Sequence, residues 1–284
     1  MQGVTSTYPK EAKSVYKRLI TVGLLVIAIL MVATPVLAIS DGELDGNGHP
    51  YVGLMVAQDA KGNPLWRCSG TLLSSTLFLT AGHCTEAPAA RAQIWFAADV
   101  ESGVPANGYP YKGDVGGKTY THPSYNPNAF YLYDLGVVVL DKPMRMNKYG
   151  ALPAQDVLDK LATSRGQQNV TFTAVGYGLQ QSFPDQASFL EHNQKIRMVA
   201  HPELLQINTG FTGDGSLLLS NNANTGGTCF GDSGGPNFIG TSNVVGGVTS
   251  FGINGNCAGT GGVYRVDRAD DLGWLYGKFG AYLK

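Results

Sequence analysis

The most specific stretch of this 284-residue chain reads Cys229-Phe230-Gly231-Asp232-Ser233-Gly234-Gly235-Pro236. Glycines around Ser233 let the backbone turn sharply and expose the serine hydroxyl. They also let a substrate carbonyl approach main-chain N–H groups, which can stabilise an oxyanion. A serine hydroxyl is a weak nucleophile unless a base activates it. The stretch therefore predicts a nucleophilic serine, although the shorter pattern Gly-x-Ser-Gly alone would more often be a simple turn.

A candidate base lies in a second motif, Leu79-Thr80-Ala81-Gly82-His83-Cys84. This motif closes an apolar, strand-like run, and its small residues allow the chain to turn at His83. A lone histidine is more often an ordinary buried or surface residue. Here Cys68 precedes Cys84 by sixteen residues, and a bridge between the two would pin the segment that carries His83.

A candidate partner for the base is Asp134, which stands just before the apolar run Gly136–Leu140. A carboxylate at the mouth of a buried strand needs a partner. A histidine N–H is a suitable one, and the carboxylate would fix the tautomer and orientation of the ring. The alternative is a turn aspartate that caps the strand. Asp141, at the other end of the run, is the competing acid, but it precedes Lys142-Pro143 and is typical of a turn.

In the order His83, Asp134 and Ser233, these motifs resemble the chymotrypsin/trypsin-like serine protease family. Subtilisins and α/β-hydrolases carry the same kinds of residues in other orders. The resemblance extends from about Ile39 to Lys284. It implies an all-β fold of two antiparallel six-stranded β-barrels with a C-terminal helix, and an active site in the cleft between the barrels.

The resemblance also implies a role for each residue of the site. His83 would act as general base and then as general acid, Asp134 would orient it, and Ser233 would form an acyl-enzyme. The backbone N–H groups of Gly231 and Ser233 would form the oxyanion hole. The implied function is hydrolysis of peptide bonds by a serine endopeptidase.

The same resemblance divides the mature chain and pairs its cysteines. The N-terminal barrel would occupy about residues 39–150, and the C-terminal barrel and final helix about residues 151–284. From the residues alone, four cysteines allow three connectivities or a metal site. The family pattern implies one bridge in each barrel: Cys68 with Cys84, and Cys229 with Cys257.

The specificity pocket is where the chain departs from trypsin-like relatives that cleave after Lys or Arg. In those relatives an aspartate lies six residues before the nucleophile. That position is Gly227 here, followed by Thr228. We therefore expect a specificity that is not strictly for Lys or Arg. Gly252 and Gly262 match the pocket walls, where small residues would leave room for a sizeable apolar side chain.

Residues 1–38 are expected to be a secretory signal peptide. Basic residues precede an apolar run that ends in the small-x-small triplet Val36-Leu37-Ala38. Cleavage after Ala38 would make Ile39 the N-terminus, and the resemblance then implies that its amine pairs with Asp232. The alternatives are a membrane anchor, since about 20 apolar residues can span a bilayer, and a mature start further along the chain. Export would place all the cysteines in an oxidising compartment, where disulfides persist.

The composition indicates a β-rich chain with many turns. Glycine accounts for 38 of the 284 residues, and charged residues make up 14%, against roughly 25% in an average soluble protein. One helix is expected from about Ala269, with Asp267 as its cap. The stretch Lys148–Gly166 is the candidate crossing between the two halves. Strands are expected at Tyr51–Val56, Thr71–Leu79, Gln93–Ala97, Gly136–Leu140, Val170–Val175, Lys195–Val199 and Val244–Thr249.

Other classes of function find little support in the sequence. The formal net charge of −1 offers no electrostatic case for nucleic acid. No cofactor or metal motif occurs, and no metal-ligand spacing relates His49, His122, His192 and His201. We expect protein or peptide substrates, membrane contact only during export, and a monomer. Two alternatives stay open: a binding or structural protein on the same fold that has lost catalysis, and an esterase or other acyl-transfer enzyme with the same triad.

Overall fold

The computed structural model describes residues 39–161, 170–181 and 193–283. The expected signal peptide lies outside these residues. The described part contains fourteen β-strands and one α-helix, α1 (Ala269–Phe279). The strands are β1 (Glu43–Leu44), β2 (Val52–Gln58), β3 (Pro64–Leu72), β4 (Leu77–Thr80), β5 (Arg91–Trp95), β6 (Val115–Thr121), β7 (Gly136–Leu140), β8 (Phe172–Gly176), β9 (Met198–Ala200), β10 (Leu204–Ile207), β11 (Ser216–Asn221), β12 (Pro236–Ile239), β13 (Val245–Gly252) and β14 (Gly259–Arg265). None of the helices in these residues is long and apolar enough to cross a membrane.

The first half is a closed antiparallel barrel of six strands in the order β2-β3-β4-β7-β6-β5. Its interior is filled by branched and aromatic side chains that have no solvent exposure, including Leu54, Phe78 and Val138. Such side chains suit a pleated, buried surface. This barrel agrees with the expected fold. His83 lies just after the end of β4, and Asp134 lies just before the start of β7.

The second half is an eight-stranded sheet in the order β1-β9-β8-β12-β13-β14-β11-β10, where the resemblance implies a six-stranded barrel. One added strand is β1, which pairs with β9 at the edge. The other arises because Pro202 has no N–H to donate, so β9 and β10 are separated by residues 201–203. Across this break the chain stays paired with the start of β8, because Phe172 N donates to the Pro202 carbonyl and Leu204 N donates to the Val170 carbonyl, each at 2.8 Å.

The position of β1 also differs from the expected division of the chain. Residues before β2 were assigned to the first barrel, but Glu43 and Leu44 pair with Val199 and Met198 of the second sheet. The N-terminal segment therefore crosses from the second half to the first. Residues 148–161 cross back from the first half to the second, since Gly150 N donates to the Leu72 carbonyl and Ala151 N to the Asn243 carbonyl, each at 2.8 Å. They include a short 3₁₀ helix, Val157–Leu161. These residues are the described part of the predicted crossing.

Helix α1 begins at Ala269 as expected and packs on the first barrel. Phe279 lies edge-on to Tyr120 of β6, with ring centroids 5.3 Å apart. The predicted cap is wrong, because Arg268 occupies the N-cap position and makes no side-chain cap bond. Asp267 is instead fully buried, where it binds Arg265 at 2.9 Å and accepts the Leu158 N–H at 2.8 Å.

The strand predictions were accurate where an apolar run was continuous. Gly136–Leu140 is β7 as predicted. Thr71–Leu79 is not one strand, because the Ser74 hydroxyl accepts the N–H groups of Thr76 and Leu77 and stabilises a turn there. Six of the described strands were not predicted: β1, β6, β10, β11, β12 and β14. Among them, β6, β11 and β14 contain glycine, serine and threonine residues and give no clear alternating pattern.

Candidate active site

The side chains of His83 and Asp134 lie together beside the first barrel. The His83 ring nitrogen Nδ1 is 2.9 Å from Asp134 Oδ2 and 3.1 Å from Oδ1. The backbone N–H of His83 donates to the same carboxylate at 2.8 Å. Asp134 has no solvent exposure, so these bonds satisfy a charge that water does not reach.

A residue that the sequence prediction missed completes the surroundings of Asp134. Ser250, in β13 of the second sheet, donates its hydroxyl to Asp134 Oδ2 at 2.5 Å. The sequence signal available was its position two residues before Gly252, a predicted pocket residue. This bond ties the carboxylate of the first half to the pocket strand of the second half.

The backbone around Asp134 is held by His122. Tyr133, the residue before Asp134, has a φ of 53°, which is unusual for a non-glycine residue. Its ring stacks on the His122 ring with centroids 5.0 Å apart. The His122 N–H donates to the carbonyl of Leu135, the residue after Asp134, at 2.9 Å. His122 thus contacts both neighbours of the buried acid.

The pKa of His83 is set by two opposing effects. Burial lowers it, whereas the charge and hydrogen bond of Asp134, together with the charge of Glu86, raise it, and the net direction is upward. Burial also raises the pKa of Glu86, which lies in the same cleft. The imidazole is therefore a stronger base than an isolated histidine.

Ser233 shares a cleft with His83. The residues that line the cleft are Trp66, Arg67, Cys68, His83, Glu86, Phe230, Gly231 and Ser233. Gly231 has a φ of 97°, in the region that favours glycine. A Cβ atom there would lie 2.9 Å from Arg67 Nη2 and 3.0 Å from the Gly178 Cα. The structure thus brings the predicted nucleophile and base to one cleft beside a backbone turn that requires glycine.

A separate pocket adjoins Ser233 on the side of β13. Its volume is about 140 Å³. Among the described residues, its lining carries no charged side chain and consists of Thr228, Cys229, Phe230, Ser233, Thr249, Ser250, Phe251, Gly252 and Cys257. Two of the four predicted pocket residues, Thr228 and Gly252, are in this lining.

The other two predicted pocket residues lie elsewhere. Gly262 pairs with Phe251, and a Cβ on Gly262 would be 2.3 Å from the Phe251 ring. A register shift between Thr249 and Phe251 places Gly261 opposite Gly252 instead. A Cβ on Gly227 would lie 2.2 Å from the side chain of the buried Asn221. Side chains already occupy the space beside both glycines.

Ile39 and Asp232 are both fully buried. Ile39 packs in a cluster with Ala174, Met198 and Ala200. Next to it, the Ser40 carbonyl accepts the Gly227 N–H at 3.0 Å, so the first described residues lie beside the segment that leads to the nucleophile.

The Asp232 carboxylate accepts the N–H of Gly178 at 2.7 Å and that of Cys229 at 2.9 Å. Burial nevertheless raises the pKa of Asp232 to about 6. A buried acid of this kind gains from a nearby cation.

Two disulfides stabilise the segments that carry the site. Cys68 is bonded to Cys84, and Cys229 to Cys257, which is the pairing implied by the family resemblance. Cys68, Cys84 and His83 lie close enough together to suggest a metal site. Because both sulfurs are in the disulfide, they are not available as metal ligands.

Known proteins match both the sequence and the fold. The family model described as Trypsin matches residues 45–271. Phenoloxidase-activating factor 3 of Holotrichia diomphalia is 24% identical over 255 residues, which cover 82% of this chain and 70% of that protein. Among solved structures, HL collagenase superposes with a TM-score of 0.65 at 20% identity, over 85% of this chain and 98% of that one. Human heparin binding protein does so with a TM-score of 0.60 at 18% identity, over 84% and 95%. With a family match over most of its length and the fold of these structures, the chain belongs to the trypsin family.

Proposed function

We propose that this chain is a secreted serine endopeptidase that uses His83, Asp134 and Ser233 as its catalytic triad. The observation that carries the proposal is the contact between the buried Asp134 carboxylate and His83 Nδ1, which are 2.9 Å apart, together with the cleft that His83 and Ser233 both line. Membership of the trypsin family supports a serine protease-type function. The two disulfides support export to an oxidising compartment.

The proposed reaction follows from the tautomer of His83. With Nδ1–H donated to Asp134, the other ring nitrogen Nε2 has a free lone pair. As Ser233 Oγ bonds to the substrate carbonyl carbon, His83 Nε2 takes the proton of the Ser233 hydroxyl, and the carbonyl oxygen becomes an oxyanion. The N–H groups of Gly231 and Ser233 stabilise that oxyanion. Protonated His83 then gives its proton to the leaving amine nitrogen as the peptide bond breaks, and water releases the acyl group by the same steps in reverse.

The substrate residue before the cleaved bond would enter the pocket beside Ser233. Because its described lining carries no charge, a Lys or Arg side chain would lose its hydration without gaining a counter-charge. An apolar cavity of about 150 Å³ can hold a benzene molecule. The pocket volume of about 140 Å³ therefore suits an apolar side chain of leucine or phenylalanine size.

Cleavage of a peptide library tests this specificity. We expect most cleavage after neutral, apolar residues and at least tenfold less after Lys or Arg. Thr228→Asp is the matched variant, since Thr228 lines the pocket and the change places an acid in it. Predominant cleavage after Lys or Arg by the unaltered enzyme would contradict the proposed pocket.

We further propose that removal of residues 1–38 creates the active N-terminus. The full burial of Ile39 and the contact between Ser40 and Gly227 support this. The freed Ile39 amine would pair with Asp232, whose buried carboxylate needs a cation. Mass spectrometry of the exported protein checks the start, and any mature N-terminus other than Ile39 refutes this step.

Activity measurements with Ser233→Ala decide among the possible functions. We expect the unaltered protein to hydrolyse protein, peptide and ester substrates and to bind a fluorophosphonate covalently, and the variant to do none of these. Ser102→Ala, which changes an exposed serine, is the control and should behave like the unaltered protein. Hydrolysis of esters alone would indicate an esterase, and equal inactivity of all three proteins would indicate a binding protein.

A further inference from the structure

Ser69 lies in β3 of the first barrel and binds the nucleophile segment of the second sheet. It has no solvent exposure. Its backbone N–H donates to the Ser233 carbonyl at 2.8 Å, and its hydroxyl donates to the Gly231 carbonyl at 2.9 Å. One residue therefore holds the carbonyls of both residues whose N–H groups form the proposed oxyanion hole.

The hydroxyl of Ser69 has a fixed direction. Its proton is donated to the Gly231 carbonyl, and its oxygen accepts the Tyr177 N–H at 3.0 Å. The Ser69 carbonyl is in turn bound by the hydroxyl of Thr80 at 2.8 Å. Every polar group of Ser69 is thus hydrogen-bonded. The residue therefore fixes the segment around Gly231 and Ser233 relative to the first barrel.

The two peptides that meet at Gly231 need such restraints. Glycine adopts both signs of φ with little cost, so Gly231 at a φ of 97° has no side chain that would limit its rotation. The Gly231 N–H belongs to the Phe230–Gly231 peptide, whose Phe230 carbonyl accepts the Leu179 N–H at 2.8 Å. The Ser69 hydroxyl holds the carbonyl of the next peptide, between Gly231 and Asp232. Loss of this second restraint would free the φ and ψ angles of Gly231 and let its N–H turn away from the cleft. Stabilisation of an oxyanion depends on donors that are in place before the charge develops.

We propose that Ser69 is a positioning residue for the oxyanion hole, and that its hydroxyl keeps the Gly231 N–H directed at the substrate carbonyl oxygen. The inference rests on the proposed function. It predicts an effect on the rate of acyl transfer rather than on substrate binding, because Ser69 is buried and lines neither the cleft nor the pocket beside Ser233.

The test compares Ser69→Ala with Ser74→Ala. Ser74 is also buried, and its hydroxyl also donates to a carbonyl, that of Tyr282, and accepts backbone N–H groups, but it lies in the β3–β4 turn. Kinetics are measured on a peptide amide and on matched oxygen ester and thionoester substrates, with active enzyme counted by fluorophosphonate titration. A thionoester develops charge on sulfur, which accepts hydrogen bonds poorly and gains less from the oxyanion hole.

Removal of an oxyanion donor costs about 10² to 10³ in kcat, and a donor that is loosened rather than removed should cost less. We expect Ser69→Ala to lower kcat on the amide by roughly tenfold, with KM within about twofold. The ratio of oxygen ester to thionoester rates should fall by a similar factor. Ser74→Ala should lower thermal stability about as much as Ser69→Ala does, but it should change neither kcat on the amide nor the ratio of oxygen ester to thionoester rates.

An unchanged ester-to-thionoester ratio in Ser69→Ala would overturn the proposal, whatever happened to stability. If Ser69→Ala does not fold, Ser69→Cys retains a weak donor, and about a threefold fall in kcat and in the ratio is expected. No change in either quantity in that variant would also overturn the proposal. Inactivity of the unaltered protein would instead refute the proposed function, so the two failures are distinguishable.

Discussion

Asp134→Asn is the most direct test of how His83 is oriented. Asp134 Oδ1 accepts the His83 backbone N–H at 2.8 Å, and Oδ2 lies 2.9 Å from the ring nitrogen Nδ1. An asparagine must keep its oxygen at the Oδ1 position, because an amide NH₂ there would face a backbone donor that cannot accept a hydrogen bond. The NH₂ group then faces Nδ1, which must become the acceptor.

The change of tautomer determines the size of the effect. With the proton moved to Nε2, His83 can no longer take the proton of Ser233. Loss of the correct tautomer in this kind of triad lowers kcat by about 10⁴, or about 5.5 kcal/mol at 1.36 kcal/mol per tenfold change. The folded structure should change little, because Ser250 can reverse its hydroxyl and accept from the new NH₂ group.

The assay is kcat on a peptide amide at pH 8, with a parallel urea unfolding curve for each protein. Asp141→Asn is the control, since Asp141 is the competing acid in the sequence and forms an exposed ion pair with Arg91. The control should keep its activity. If Asp134→Asn retains kcat within tenfold of the unaltered enzyme, then Asp134 does not set the tautomer of His83 and the reasoning fails.

Three further predictions concern stability and the oxyanion hole. Burial raises the pKa of Asp271 from 3.8 to about 8, so its contribution to stability is complete below about pH 4 and is lost as the pH rises through 8; Asp271→Asn should remove roughly 2 kcal/mol of the decrease between pH 6 and pH 9 in urea unfolding. Replacement of both Cys68 and Cys84 by alanine opens a loop of 16 residues and should lower the free energy of unfolding by about 3 kcal/mol, whereas no change would indicate a reduced bridge. Gly231→Ala should lower kcat by about 10² or more, because its Cβ would lie 2.9 Å from Arg67 Nη2 at a φ of 97°; titration with a fluorophosphonate checks that the folded fraction is unchanged.

Family membership and the candidate triad were accessible from the sequence because each triad residue is embedded in a local motif. The glycines around Ser233 and the small residues before His83 are adjacent to the side chain that they serve. Asp134 could be identified because it precedes the continuous apolar run of β7, whereas Asp141, at the other end of that run, is followed by Lys142-Pro143 and is typical of a turn. Signals of this kind need no knowledge of distant partners.

Ser250 and Ser69 could not be identified in this way. Each is an ordinary strand serine whose role depends on a residue of the opposite half of the molecule. Ser250 meets Asp134 across 116 residues of chain, and Ser69 meets Gly231 across 162. The sequence around Ser69 gives no sign of its contact, and the sequence around Ser250 indicates only that it lies near the predicted pocket residue Gly252, because hydrogen bonds between two sheets arise only when the sheets pack.

By itself, then, the sequence determined that the chain is a β-rich member of a serine protease-like group, and it indicated which side chains carry the candidate chemistry. Only the tertiary structure decided which predicted pocket residues line the pocket: Thr228 and Gly252 do, whereas the Phe251 ring lies beside Gly262 and the Asn221 side chain beside Gly227. It also decided that the segment around Ile39 joins the second sheet. The physical reason is that residue types and their spacing encode local turns and chemistry, whereas strand register and contacts between sheets follow from side-chain packing over the whole fold.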